Sequence, residues 1–285
     1  MHNLFKTFLL LLVMTVLFML LGDWLGGSRG MLMGLVVAGV MNLGSYWFSD
    51  KIVLAMYRAR DPQPSERRVV ALVENLATQA NLPMPKVKML DLDVPNAFAT
   101  GRNPKHAVVA VTTSLAGLLN DRELTAVLAH ELSHVRNRDI LISAVAATLA
   151  GAIAMIARTA LWFGGGRDRD NALAGIVLMI LAPIAAFLIQ MAISRSREFA
   201  ADRAAGILTN RPLDLITALE KLHASVTRHP LEATPGGNVT AHLFIVNPFK
   251  AGGLASLFST HPNVEQRAER LRALDQELKG LPKGI

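Results

Sequence analysis

The chain contains no cysteine. A disulfide framework is therefore excluded, and so is any metal site built on thiolates. Charge is also scarce: 18% of the residues are Asp, Glu, Lys or Arg, against about 25% in an ordinary soluble domain. No long basic run appears, so the net charge of +7 does not mark a nucleic-acid surface. Basic residues interleaved with acids, at membrane flanks and on solvated faces, account for it. No internal repeat is visible. Apolar residues are what the chain has in excess, 52% of 285 positions, with a mean hydropathy of +0.35. This composition fits a membrane protein with a substantial water-exposed part.

The apolar residues come in four runs. Residues 4–21 are interrupted only by Lys6 and two Thr. No small-x-small cleavage site precedes Gly22 and a second run follows at once, so the first run reads as a retained span rather than a cleaved signal peptide. The second run, 31–48, ends on Tyr46 and Trp47, residues typical of an interfacial aromatic belt. Lys51, Arg58, Arg60, Arg67 and Arg68 follow within about 20 residues, the window of the positive-inside rule. The connection between the two runs carries only Asp23 and Arg29. The N-terminus and the chain after residue 48 are therefore expected on the cytoplasmic side. Runs 140–157 and 172–193 are long enough to be spans, or to form a buried helical hairpin within the soluble part. A polar turn at 164–170 separates them, and Arg195, Arg197 and Arg203 bring the chain back to the cytoplasmic side.

The runs divide the chain into residues 1–48, two N-terminal transmembrane helices; 49–139, a first cytoplasmic part; 140–193, two further hydrophobic helices; and 194–285, a second cytoplasmic part. In the first cytoplasmic part the spacing predicts an amphipathic helix over 65–80, with Val69, Val70, Leu72, Val73 and Leu76 on one face. Pro83 and Pro85 prevent its continuation. A half-buried strand over 86–90, a loop through 95–101, an apolar strand over 107–112 and a short helix over 114–119 follow. In the second part, helices are expected over 212–227 and 263–279, the latter with Val264, Ala268, Leu271, Leu274 and Leu278 on one face and an Asn263–Gln266 capping box. The intervening 229–258 reads as a long loop.

One stretch carries chemistry. His130-Glu131-Leu132-Ser133-His134 matches the H-E-x-x-H pattern, and Asn120 with Glu123 caps the helix expected to contain it. Histidines four apart share a helical face, so both can turn an imidazole nitrogen to one zinc ion, with Glu131 beside it to handle a proton. A catalytic zinc needs a third protein ligand. Without cysteine that ligand is His, Asp or Glu, reached after an even number of membrane crossings. Glu198 is the first acid past runs 140–157 and 172–193. Asp202, one helical turn on, would accept the free N–H of a ligating histidine. The same spacing also suits a solvated juxtamembrane helix whose acids balance Arg195 and Arg197.

With these residues in view, the chain resembles the HtpX family of membrane zinc metallopeptidases, relatives of the CAAX prenyl proteases. The resemblance rests on Asn96-Ala97-Phe98-Ala99-Thr100-Gly101, His130 to His134, Arg197-Glu198-Phe199-Ala200-Ala201-Asp202, and Ser259-Thr260-His261-Pro262 followed by Arg267. It implies a mostly α membrane protein with four hydrophobic helices and a cytoplasmic α+β metalloprotease domain of gluzincin type. It also implies one Zn2+ per chain on His130, His134 and Glu198, and Glu131 as general base. His261, before Pro262 and a helix start, would support the oxyanion, with Arg267 adding positive charge. Asn96, Ala97, Phe98 and the strand 107–112 would offer a sheet edge to the substrate. The implied role is degradation of damaged or misfolded membrane proteins at the inner membrane, without nucleic acid.

Other readings have identifiable weaknesses. CAAX-type processing of lipidated peptides would need a larger membrane enclosure than four helices give. A chaperone or adaptor with a structural metal would need a fourth ligand. A transporter would carry ionisable residues within its spans.

Overall fold

The computed structural model describes residues 2–146, 148–149, 195–228, 244–245 and 262–280. The expectations for 150–157, 164–170, 172–193, most of 229–258 and His261 lie outside these described residues.

The first element, α1 (His2–Met56), is a hairpin of two helical arms bent at Gly26 and Gly27. Gly27 has φ 58, a left-handed conformation that glycine adopts without a Cβ penalty. The arms, Phe5–Trp24 and Gly26–Met56, have window mean hydropathies of 2.3 and 1.5, and only 17% of each window is buried. The large side chains of Phe8, Leu20, Val40 and Leu43 point outward, which suits lipid and not water. Where the arms cross, a Cβ on Gly22, Gly30 or Gly34 would collide with a carbonyl of the opposite arm. Small residues permit this close approach. Asn42 Nδ2 adds a polar tie, donating to the Leu11 carbonyl at 3.1 Å and to Thr15 Oγ1 at 2.9 Å. The second arm continues beyond residue 48 to Met56 because Val53 and Leu54 find apolar partners in Leu90 and Phe98.

The sheet has three strands, β1 (Lys86–Leu90), β2 (Ala97–Thr100) and β3 (Val108–Thr112), in the order β1-β3-β2. β1 runs parallel to β3 and β2 antiparallel to it. This corrects the sequence reading twice. Residues 97–100 form a strand within what read as a loop; all four are buried, so they lack the alternation that marks a half-buried strand. The strand expected as a sheet edge over 107–112 is instead central, with partners on both sides and every residue buried. The edge is β2.

Helices α2 (Arg67–Gln79), α3 (Thr113–Leu118), α4 (Asp121–Arg136), α5 (Arg195–Thr209), α6 (Pro212–Arg228) and α7 (Val264–Gly280) complete the described fold. α4 is its axis and touches α2, β2, α5 and α6. Its Leu124, Val127, Leu128 and Leu132 join β1, β3, α2, α6 and α7 in one apolar core. The helical segment 139–146 leaves this core and packs on the hairpin through Leu141, Val145 and Ala146, with Leu149, against Leu10 and Met14.

Candidate metal centre

The start of α4 is fixed by a reciprocal cap. Asn120 Oδ1 accepts the N–H groups of Arg122 and Glu123, each at 3.0 Å, and Glu123 Oε2 accepts the Asn120 N–H at 3.1 Å. Lys221 on α6 reaches the same Glu123 oxygen at 2.8 Å. Three turns later the helix presents His130 and His134 side by side. Their Nε2 atoms are 3.2 Å apart and their rings stand at 84°. α5 crosses α4 so that Glu198 completes the triangle, with Oε2 3.6 Å from His130 Nε2 and Oε1 3.6 Å from His134 Nε2.

These distances suit a metal. Ligand bonds of about 2.0–2.2 Å in tetrahedral geometry set neighbouring donor atoms roughly 3.3–3.5 Å apart, close to the three observed edges. Two imidazole nitrogens and a carboxylate oxygen are the donor set that zinc takes with an open fourth position. The charges agree as well. Around the cluster, the four carboxylates of Glu131, Asp139, Glu198 and Asp202 face the two guanidiniums of Arg197 and Arg267. With both imidazoles neutral, as metal ligation requires, two negative charges remain over, the complement of one divalent cation. The residues fit zinc.

The titration shifts have local causes. Burial opposes a proton on His130, but hydrogen bonds with Asp202 and Glu198 prevail and raise its pKa to about 10. A metal entering there competes with that proton. Burial pushes the Glu131 carboxyl above its ordinary value, against the opposing pull of the two histidines. Burial also works against ionised Asp202, yet Arg267 and His130 hold it down at about 2. Burial lowers Arg197, and the charges of Asp139 and Glu198 oppose the shift.

Most of the residues singled out in the sequence converge here. Glu131 Oε2 accepts the Ala99 N–H of β2 at 3.0 Å, which fixes its carboxylate beside the cluster. Asp202 Oδ1 lies 2.9 Å from His130 Nδ1. Arg267 lies behind His130. Its Nε and an Nη donate to the two Asp202 oxygens at 2.8 and 2.6 Å, and its side chain is 1% exposed. Asn96 is buried; its N–H bonds Thr112 Oγ1 at 2.8 Å, and its own Oδ1 accepts the Ile245 N–H at 3.1 Å. Ala97 and Phe98 lie on β2, with Phe98 and Ala99 lining the metal cavity.

Four contributors escaped the sequence reading. Asp139 Oδ2 lies 3.0 Å from His134 Nδ1. Its only sequence signal is an acid placed just before an apolar run. Phe244 and Ile245 also line the cavity, and the Tyr57 ring meets Phe98 at a tilt and Phe244 edge-on, with ring centroids at 5.6 and 6.4 Å. The Arg267 guanidinium also reaches the Ile245 carbonyl at 3.4 Å. The cavity holds about 60 Å³, room for a few waters.

Comparison with known proteins gives the same picture. A relative from Desulforapulum autotrophicum, named Protease HtpX homolog, is 52% identical over 281 residues, covering 95% of this chain and 90% of its own length. Proteins of that name from Methylibium petroleiphilum and Syntrophobacter fumaroxidans are each 51% identical, covering 96% and 95% of this chain and 98% and 99% of theirs. The solved structure of S. mikatae Ste24p aligns with a TM-score of 0.49 at 19% identity, over 90% of this chain and 61% of that one. The model of peptidase family M48 matches residues 63–275, which include α4, α5 and both halves of the metal cluster. On that match and those relatives, the chain belongs to peptidase family M48.

Proposed function

We infer that this chain is a zinc endopeptidase of the membrane that hydrolyses peptide bonds in damaged or misfolded membrane proteins. The observation carrying the reading is the His130, His134 and Glu198 cluster, with its donor atoms within 4.8 Å of one another and the buried Glu131 carboxylate beside it. When bound, zinc supplies a Lewis acid that acidifies a water and polarises the scissile carbonyl. Glu131 takes the proton of the attacking water and delivers it to the leaving amine. Its raised pKa and its bond to the Ala99 N–H suit a group that must both accept and return a proton. Asp202 and Arg267 hold the His130 ring in place from behind. His261, carried over from the family resemblance, is the oxyanion donor of this proposal.

The substrate lies along β2. Strand alternation turns the main-chain groups of Ala97 and Ala99 away from β3, toward Glu131, so an added strand runs past the metal. A substrate that uses the Asn96 side-chain oxygen must first take it from the Ile245 N–H. The gluzincin-type domain assembles from 49–139 and 194–285, on the cytoplasmic side of the inner membrane. Hairpin 1–48 and the two hydrophobic helices of 140–193 make the protein multi-pass. The orientation rests on Lys51, Arg58, Arg60, Arg67 and Arg68 beyond the second arm.

The test uses the full chain in detergent or lipid. Glu131→Gln keeps one zinc per chain and loses about 10²–10⁴-fold in peptide cleavage; undiminished cleavage refutes the mechanism. Glu198→Ala loses the zinc itself, measured by metal analysis after dialysis.

A further inference from the structure

Both metal-facing histidines are held from behind by a carboxylate. For His130 the partner is Asp202, on the same helix as Glu198. For His134 it is Asp139, whose Oδ2 lies 3.0 Å from Nδ1 while Nε2 faces the metal donors. Asp139 is 4% exposed, so water does not compete for this bond. The chain reaches it by a tight reversal. α4 is capped at its end by Asn137, whose N–H bonds the Ser133 carbonyl at 3.0 Å, and Arg138 then takes φ 59. A non-glycine side chain resists that left-handed conformation, and here it turns Asp139 back onto the helix it has just left. Asp139 opens the helical segment 139–146. Leu141, Val145 and Ala146 of that segment, with Leu149, pack on Leu10 and Met14 of the membrane hairpin.

We propose that Asp139 is a positioning residue for the zinc ligand His134, fixing its tautomer and aim, and that it transmits the seating of the membrane hairpin to the metal. A carboxylate accepting the Nδ1–H of a ligating imidazole commits Nε2 to the metal and makes it more basic. This carboxylate is on the first residue of the segment that grips α1, so movement of the hairpin moves the acceptor of His134 directly. Asp202 is held instead by Arg267 of α7. Among the described residues, His134 is the histidine whose back-side partner opens a segment packed on the membrane hairpin.

The competing role is local. An acid at a helix start can simply cap it, and asparagine or serine caps as well as aspartate. The variants exploit that difference. Zinc dissociation constants are measured on the full-length protein by competition with a chromophoric chelator. Thermal midpoints of the metal-free protein are recorded alongside, and cobalt(II) spectra report the geometry of the site. Asp139→Ala is expected to weaken zinc binding about 10–100-fold. Asp139→Asn keeps the cap, and hence the metal-free midpoint, but still weakens zinc binding about tenfold and shifts the cobalt bands. Unchanged zinc affinity in both variants, with only the midpoint of Asp139→Ala lowered, overturns the positioning role.

The link to the hairpin is read from Leu10→Ala/Met14→Ala. That variant should weaken zinc binding several-fold in the wild-type background and leave it unaltered in Asp139→Ala. Equal effects in the two backgrounds overturn the link. The proposal depends on the zinc reading above, and the outcomes separate the two: wild-type protein that holds no zinc defeats that reading, whereas wild-type zinc affinity in the Asp139 variants defeats only this inference.

Discussion

In the α1 hairpin Phe8, Leu20, Val40 and Leu43 face outward while Thr7, Ser45 and Ser49 are buried. Around α4 the arrangement is opposite: Leu124, Val127, Leu128 and Leu132 are buried among other apolar side chains. Polar burial also differs in kind. The hairpin hides small hydroxyls that bond within or between its helices, such as Ser45 Oγ to the Asn42 carbonyl at 3.0 Å. The α4 region hides ionised groups, and it can do so because each has a charged or metal-directed counterpart. The lesson is that two solvents act on one chain. Lipid removes the reason to bury leucine, whereas water supplies it and leaves room for an organised set of charges at the centre.

The strongest way to break the α4 side of this contrast is to remove one member of its most buried pair. Arg267→Met leaves Asp202 buried without its guanidinium, which should destabilise the soluble part by about 3–5 kcal/mol in chemical denaturation. A loss under about 1 kcal/mol would mean that Asp202 finds another cation. Next comes the apolar contrast. Leu128→Ala should cost about 2–5 kcal/mol through transfer and cavity. Leu20→Ala in the hairpin should leave denaturation of the soluble part unmoved and weaken only membrane insertion, by about 0.5 kcal/mol.

A smaller effect is expected at the cap of α4. Burial raises the Glu123 carboxyl, but its bonds to Lys221 and the Asn120 N–H prevail and hold it below its ordinary value. A lowered carboxylate stabilises the fold above its unfolded pKa of about 4.3, and that stability is lost as pH falls below it. Glu123→Gln should therefore flatten the acid side of the stability curve by about 1 kcal/mol, read as thermal midpoints between roughly pH 6 and pH 3. The smallest effect belongs to the Arg203–Glu277 pair, at 2.8 Å but half exposed on both sides. Glu277→Gln should leave the midpoint unmoved, since solvent and salt already screen the pair.

Periodicity made α2, α4, α6 and α7 legible in the sequence because each presents one apolar stripe to one core. It failed at β2, where four residues are buried on both faces and nothing alternates. The metal-facing residues were legible because ligand chemistry restricts both residue type and spacing: His130 with His134, then Glu198 with Asp202, one helical turn apart each time. Asp139 was not, because its role depends on a chain reversal at Asn137 and Arg138 that no spacing rule encodes. Arg267 could be picked out, but not its place behind His130, which follows from the packing of α7 against α5. Ile245 is a main-chain partner of Asn96, and main-chain groups carry no sequence signature.

The bend at Gly26 and Gly27 also bears on how the protein enters the membrane. Between Lys6 and Asp50 the only ionised side chains are Asp23 and Arg29, which flank that bend. The topology proposed above would carry one negative and one positive charge to the far side with the tip. A single charge crossing the membrane gains or loses about 2.3 kcal/mol per 100 mV of potential; for this tip the two contributions cancel. On the proposed topology, the membrane potential therefore neither helps nor hinders passage of this tip.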